Sequence, residues 1–282
     1  MKKPNTQYTR RDFGHLAGLG ISFLGAASLA AAKSKIPIAL ELYSIRKDCA
    51  ADLAGSVAKV AEMGYDAVEF AGYHGHSAAA VSKMLKDNGL TCCSVHAGWA
   101  TVQPDMLAET IDFNKEIGND LLVVPGLPGP IREAKSKYPD VAKQFNEIAA
   151  KAKEQGMSLG YHNHTWEFEG EEGKRFWDVL GDNTPKDFVM QLDVGHCRRS
   201  GRDPVAYIKK YAGRSRVIHV KDFSPKSEEI LLGEGIVDWK AVFGTVESVG
   251  GIETYIIEQE RYPHPPMECA KRCLDNLKKL LA

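Results

Sequence analysis

The 282-residue sequence carries six cysteines but no Cys-x-x-Cys pair. Cys49, Cys92, Cys93, Cys197, Cys269 and Cys273 are therefore not spaced for a zinc ribbon or a thioredoxin-type redox site. Cys269 and Cys273 would be neighbours on one helix face. An oxidising compartment would permit a disulfide, but the spacing selects no pair. An excess of one charge is also missing. There are 36 basic and 37 acidic residues, for a formal net charge of -1. That balance gives no support to a nucleic-acid partner or an anionic membrane surface. No G-x-G-x-x-G follows the first apolar strand, which weakens a dinucleotide-binding reading. The chain has no internal linker, no low-complexity run and no sign of a second domain.

A long membrane-spanning run is absent as well. Leu16 to Ala32 is apolar, but it is too short and too glycine-rich to span a bilayer. It follows Thr9-Arg10-Arg11-Asp12-Phe13 and ends in Ala30-Ala31-Ala32. A twin-arginine pair, an apolar stretch and an A-x-A site together predict an export signal over residues 1–32, cleaved after Ala32. The mature chain, 33–282, is then expected in the periplasm or outside the cell, with no stable membrane insertion. This route carries proteins already folded, so a metal can be loaded before export.

What remains is a repeated unit: a short apolar strand ending in polar residues, a helix with an apolar stripe, then a glycine. The expected strands are Ile38 to Ser44, Ala67 to Phe70, Thr91 to His96, Leu121 to Val124, Ser158 to Phe168 at its fullest extent, Phe188 to Leu192, Val217 to Val220 and Thr254 to Ile257. Between them, stripes such as Leu53, Val57, Val60 and Ala61 read as helices, closed by glycines such as Gly64. Eight alternating strand–helix units predict an α/β fold, a single-domain (β/α)8 TIM barrel; about 250 residues suffice for one. Leu127 to Pro139 is the longest irregular stretch and reads as a loop over the site or an insertion.

In such a barrel the chemistry sits at the C-terminal strand ends. Five of the nine histidines, His96, His162, His164, His196 and His219, fall there. Asp193, His219 and Glu258 end three different strands and can converge on one divalent cation, Mn, Mg, Co or Zn. Strand five supplies the fourth ligand, for which His164 is the candidate. A cation there would polarise a substrate oxygen, and Glu258, His162 or His164 would remove a neighbouring proton. His196 and Lys221 can donate to developing oxyanions. His96 and Glu69 would hold substrate hydroxyls or brace the ligands. Trp166 could stack on a sugar ring.

Several segments follow one another along the strand ends: Leu42-Tyr43-Ser44-Ile45-Arg46, Ser94-Val95-His96-Ala97-Gly98, Tyr161-His162-Asn163-His164 with Glu167-Phe168, and Leu192-Asp193-Val194-Gly195-His196. Then come His219-Val220-Lys221-Asp222, Gly233-Glu234-Gly235 with Val237-Asp238-Trp239, and Ile257-Glu258-Gln259-Glu260. Taken in order, this set resembles the sugar phosphate isomerase/epimerase family of xylose isomerase-like TIM barrels. The resemblance implies a divalent-metal enzyme acting on a small sugar or keto sugar, with Asp193, His219 and Glu258 as ligands. Strand five departs from the family pattern, offering histidines where a carboxylate is usual. A histidine there resembles the inosose dehydratase-like branch. The leading expectation is an isomerase or epimerase working by proton abstraction beside a polarised carbonyl. A lyase or dehydratase on a keto sugar or inosose is second, and a non-catalytic carbohydrate-binding barrel third. A metal-dependent endonuclease lacks the basic surface it would need. Homo-oligomerisation is left open.

Overall fold

The computed structural model describes residues 36–249 and 251–282. The expected export signal lies outside the described residues. The eight strands are β1 (Ile38–Glu41), β2 (Ala67–Phe70), β3 (Thr91–His96), β4 (Leu121–Val124), β5 (Ser158–His162), β6 (Val189–Asp193), β7 (Val217–Val220) and β8 (Thr254–Ile257). All neighbours pair in parallel, and β8 returns to β1, so the sheet closes as a barrel. The helices are α1 (Arg46–Ala51), α2 (Leu53–Met63), α3 (Ala78–Asp87), α4 (Leu107–Glu116), α5 (Gly129–Glu133) and α6 (Tyr138–Glu154). They continue with α7 (Phe176–Asn183), α8 (Val194–Arg199), α9 (Pro204–Lys210), α10 (Trp239–Ser248) and α11 (Pro266–Leu280). Among the described residues no helix is long and apolar enough to cross a membrane. All six cysteines are free thiols.

Two apolar layers hold the barrel. The larger lies between strands and helices and takes side chains such as Leu40, Val68, Val81 and Phe145. The smaller fills the barrel's interior: Ala39, Ala67, Leu121, Val123, Val189, Val217 and Ile256. Side chains alternate along a strand. Two residues after each of several interior positions, the same face therefore carries a polar group: Glu41 after Ala39, Glu69 after Ala67, His219 after Val217, Glu258 after Ile256. On β5 the interior position is Gly160. A Cβ there would lie 2.7 Å from the Val189 carbonyl oxygen, so only glycine lets β5 and β6 close up at that point.

Several boundaries differ from the sequence reading. β1 stops at Glu41, whose side chain accepts the Tyr43 N–H at 3.2 Å and turns the chain into a 3-10 helix, Leu42–Ile45. β5 stops at His162. Residues 127–139 contain α5 and a 3-10 turn, Lys135–Lys137, rather than one irregular loop. Proline is compatible with the first turn of a helix, and Pro130 and Pro139 both sit there.

Candidate metal centre and active site

Four side chains meet at the C-terminal mouth of the barrel. One ligand-capable atom from each of His162, Asp193, His219 and Glu258 lies within 4.8 Å of the others, and all four residues are buried. His219 Nδ1 is 3.1 Å from Glu258 Oε2 and 3.9 Å from Asp193 Oδ2. The other Asp193 oxygen, Oδ1, caps α8 by accepting the His196 N–H at 2.6 Å. Asp193 Oδ2 is buried and has no hydrogen-bond partner. An unpaired buried carboxylate oxygen is costly unless something charged faces it. The mixed oxygen and nitrogen donors fit a divalent cation well.

The sequence placed His164 in this set, and the structure puts His162 there instead. The alternation that would turn residues 162 and 164 to one face ends with β5. His164 lies in the following turn, its side chain 40 % exposed. That turn is built by its neighbours. Asn163 is buried and ties β5 to β6: Oδ1 accepts the Asp193 N–H at 2.9 Å and Nδ2 donates to the Asp193 carbonyl at 3.3 Å. Glu167 is buried too, accepting the Tyr161 hydroxyl at 2.9 Å and the His164 N–H at 2.8 Å. Burial pushes the Glu167 carboxyl up to about 8 despite these donors. His96 and His164 flank the His162 ring, with centroid separations of 4.8 and 5.0 Å.

Behind His219 lies a second buried layer. Glu69 Oε1 is 2.6 Å from His219 Nε2 and 3.2 Å from His96 Nε2, and Glu69 Oε2 accepts from Gln191 Nε2 at 2.7 Å and from the Ser94 hydroxyl. Gln191 Oε1 in turn lies 3.0 Å from both His162 Nδ1 and His96 Nε2. A register shift between β2 and β3 skips Cys93 and brings Ser94 opposite Glu69. A carboxylate on the far nitrogen of a ligating imidazole sets its tautomer. Here Glu69 leaves His219 Nδ1 to face Asp193 and Glu258. Glu41 and Gln191 belong to this layer and escaped the sequence reading. Their signal was available: each stands two residues after or before another inward residue of its strand.

The protonation states follow from packing. Burial alone would raise Glu258, but Lys221 and His219 outweigh it and hold the carboxyl well below the usual range. Glu69 is likewise held low against its burial, by His96 and His219. Burial, then the Glu69 carboxylate, pushes Glu41 well above the usual range, so it keeps its proton. Burial pushes Asp193 up against the pull of His196 and Lys221. Burial and the neighbouring His219 and His96 push His162 well below 6.5, which leaves the neutral, ligating form. Burial, then His196, pushes His164 down to about 4. Burial would lower His219, but Glu69 and Glu258 raise it to about 10.

Lys221 stands beside this group. It pairs with Glu260 and lies 3.4 Å from Glu258 Oε2 and 3.2 Å from His196 Nε2. Burial would lower its pKa, but Glu258, Asp193 and Glu260 together raise it. A cavity of about 480 Å³ opens over the site, lined by Tyr43, Ala71, His96, Gly98, Pro125, His162, His164, Glu258 and Glu260. Trp166 is not among them. Its ring stacks on Phe176 at 5.3 Å and meets Arg132, so it belongs to the packing beneath the β5 turn rather than to a sugar platform.

A closed barrel with this ligand set at its mouth can be compared with known proteins. Residues 57–280 match the xylose isomerase-like TIM barrel family. The chain belongs to that family. Among curated relatives, an inosose dehydratase from Clostridium perfringens is 27% identical over 147 residues, covering 45% of this chain and 48% of that protein. The chain thus spans about half the length of the curated relatives it matches. Among solved structures, a sugar phosphate isomerase/epimerase from Parabacteroides distasonis superposes with a TM-score of 0.73 at 21% identity, covering 89% of this chain and 98% of that one. An IOLI protein with a bound zinc atom gives 0.66 at 13% identity, covering 87% and 98%.

Proposed function

We propose that this protein is a metal-dependent lyase that removes the proton beside the carbonyl of a keto sugar or keto polyol and expels an oxygen substituent from the next carbon. The observation that carries this reading is the convergence of His162, Asp193, His219 and Glu258 beneath an open cavity that also holds His164 and His96. These four residues would hold a divalent cation, which when bound supplies polarisation of the substrate carbonyl. The zinc in a structural neighbour supports that choice of group.

The chain's own side chains do the rest. His164 is a neutral imidazole at the cavity wall and takes the proton from carbon. Lys221 is a half-buried cation that donates hydrogen bonds to the oxygen on which charge gathers. His196 and Glu260 keep Lys221 in place. His96 lines the same cavity, with protonated Glu41 3.7 Å from its Nδ1, and supplies the proton for the departing oxygen. This is an asymmetric pair: one base and one acid, each with different neighbours. It suits elimination better than epimerisation, which needs matched groups on both substrate faces. The dehydratase names of the curated relatives point the same way.

Isomerisation or epimerisation begins with the same proton removal and is the second reading, favoured by the name of the Parabacteroides neighbour. One experiment addresses both. Incubation of the metal-loaded protein in heavy water with a panel of keto sugars and inososes is expected to place deuterium beside the carbonyl. Mass loss in the product marks elimination; conserved mass marks isomerisation. His164→Gln is expected to slow exchange at least ~100-fold with metal content unchanged. Sugar binding that survives chelation, with no exchange on any ketone, would leave only a carbohydrate-binding barrel.

We also propose that residues 1–32 direct the folded protein through the twin-arginine route to the periplasm or beyond. Replacing Arg10 and Arg11 by lysine is expected to leave the full-length chain inside the cell, read as the mass of the recovered protein in each fraction.

A further inference from the structure

A second compartment, of about 340 Å³, opens beside the mouth, between the segments that follow β2 and β3 and helix α4. His96 and Gly98 line both this space and the larger cavity, so the two share a wall. Its surface is apolar. Tyr73 stacks on Phe113 with ring centroids 4.1 Å apart, and Val95 and Met106 extend the wall. One carboxylate, Glu109, also borders the space and is exposed to solvent; the hydroxyls and the amide that line it are turned to protein partners. The Tyr73 hydroxyl donates to Asn114 Oδ1 and Asn114 Nδ2 donates to the Thr110 carbonyl, each at 2.8 Å. The hydroxyls of Thr101 and Thr110 donate to the carbonyls of Gly98 and Thr101, at 2.8 and 2.7 Å. Sugar hydroxyls entering here would exchange water for few new hydrogen bonds, whereas an apolar group gains by leaving water. A closed cavity of ~150 Å³ already admits benzene, so a ring on a short tether fits. Met106, 37% exposed at the rim, is an apolar side chain that water still reaches.

We propose that this compartment holds an apolar aglycone, so that the substrate is a keto glycoside rather than a free keto polyol. The proposal rests on the elimination reading above and deepens it. Chemistry then places the carbonyl. Elimination takes the proton from the carbon next to the ketone and breaks the carbon–oxygen bond one carbon further on. For the anomeric bond to break, the ketone must stand at carbon 3 and the proton must leave carbon 2. His164 takes that proton, and the electron pair of the C2–H bond becomes the C1–C2 double bond. The C1–O pair departs on the aglycone oxygen, which is protonated from His96 at the shared wall. The products are an unsaturated keto sugar and the free alcohol. A reaction that oxidises the 3-hydroxyl of a glycoside must supply such a substrate.

The test uses the full chain loaded with metal and probes that differ only in their aglycone. By calorimetry, 2-phenylethyl β-glucoside is expected to bind at least ~10-fold more tightly than methyl β-glucoside. With the 3-keto form of each, the same ratio is expected in KM with similar kcat, because the two alcohols are comparable leaving groups. Met106→Trp and Thr110→Phe, which fill the compartment, are expected to erase the preference, so that within each variant the two glycosides bind alike. Equal affinity for the two aglycones, or a preference that survives both filled variants, overturns the proposal. If a keto inositol exchanges deuterium while neither keto glycoside releases its alcohol, the aglycone compartment fails and proton abstraction stands. If no ketone exchanges, the elimination reading itself fails.

Discussion

Asp193 does two jobs with one carboxylate. Oδ1 starts α8 by capping the His196 N–H, and Oδ2 faces His219 with no hydrogen-bond partner. Asp193→Asn can keep the cap through its amide oxygen while removing the charge. It is expected to weaken metal affinity more than 100-fold, beyond the ~10–100-fold loss typical of an outer partner. The metal-free protein should unfold at the same temperature or higher, since a buried charge is gone. Glu69→Gln removes the carboxylate behind His219 and is expected to fall within that ~10–100-fold range. Competition with a chelator of known affinity measures both, and equal losses would mean that Asp193 is not a ligand. Asp193, His219 and Glu258 could be read from the sequence because each follows an apolar strand whose alternation carries its side chain inward. Gln191 and Glu41 obey the same alternation but looked like ordinary polar residues within strands. His164 could not be placed, because its position depends on Asn163 and Glu167 bonding to groups that only the fold brings near.

The segment between β7 and α10 shows how one carboxylate can organise a loop. Asp222 accepts the N–H groups of Phe223 at 2.8 Å, Gly233 at 2.9 Å, Gly235 at 3.2 Å and Val237 at 3.4 Å, and the Trp239 indole at 3.0 Å. A Cβ on Gly235 would collide with Asp222 Oδ1 and the Phe223 carbonyl, which accounts for the glycine. In the sequence, Lys221-Asp222 and Gly233-Glu234-Gly235 stood as separate signals. The fold joins them: the loop is wound on the residue next to Lys221, so Asp222 also steadies the cation of the site. Asp222→Ala strands several donors at once and is expected to cost roughly 2–4 kcal/mol in denaturant unfolding. Asp222→Asn should cost less. A loss below ~0.5 kcal/mol for alanine would show that the loop does not depend on this anchor. Strands and helices were legible because apolar periodicity and closing glycines mark them, Gly64 being left-handed at φ 90° as a helix-ending glycine should be. The stretch around α5 was not, because glycine and proline mark a break and a helix start alike.

The four candidate ligands stand on β5, β6 and β7 and directly after β8, so a bound cation would tie together strands contributed by most of the C-terminal half of the chain. At 100 times its dissociation constant it would stabilise the fold by about 2.7 kcal/mol, or roughly 5–10 °C for a domain of this size. The gain depends on pH through His219. Without metal, this imidazole keeps its proton up to about 10 in the folded chain, against an ordinary value near 6.5 when unfolded. A raised folded pKa means that the stabilisation is fully present below about 6.5 and is lost as pH rises through about 10. A ligating Nδ1 has no such proton to lose, while Nε2 keeps its own for Glu69. Metal uptake at pH 8 is therefore expected to release close to one proton from His219. The difference in melting temperature between loaded and metal-free protein is expected to widen as pH rises from 7 to 10, because the proton competes less and the metal-free form loses its own support. Calorimetry in buffers of different ionisation enthalpy reads the proton, and thermal melts across that range read the widening. An uptake enthalpy independent of buffer, with a melting difference flat in pH, would mean that the cation binds without displacing the His219 proton and that Nδ1 is not a ligand.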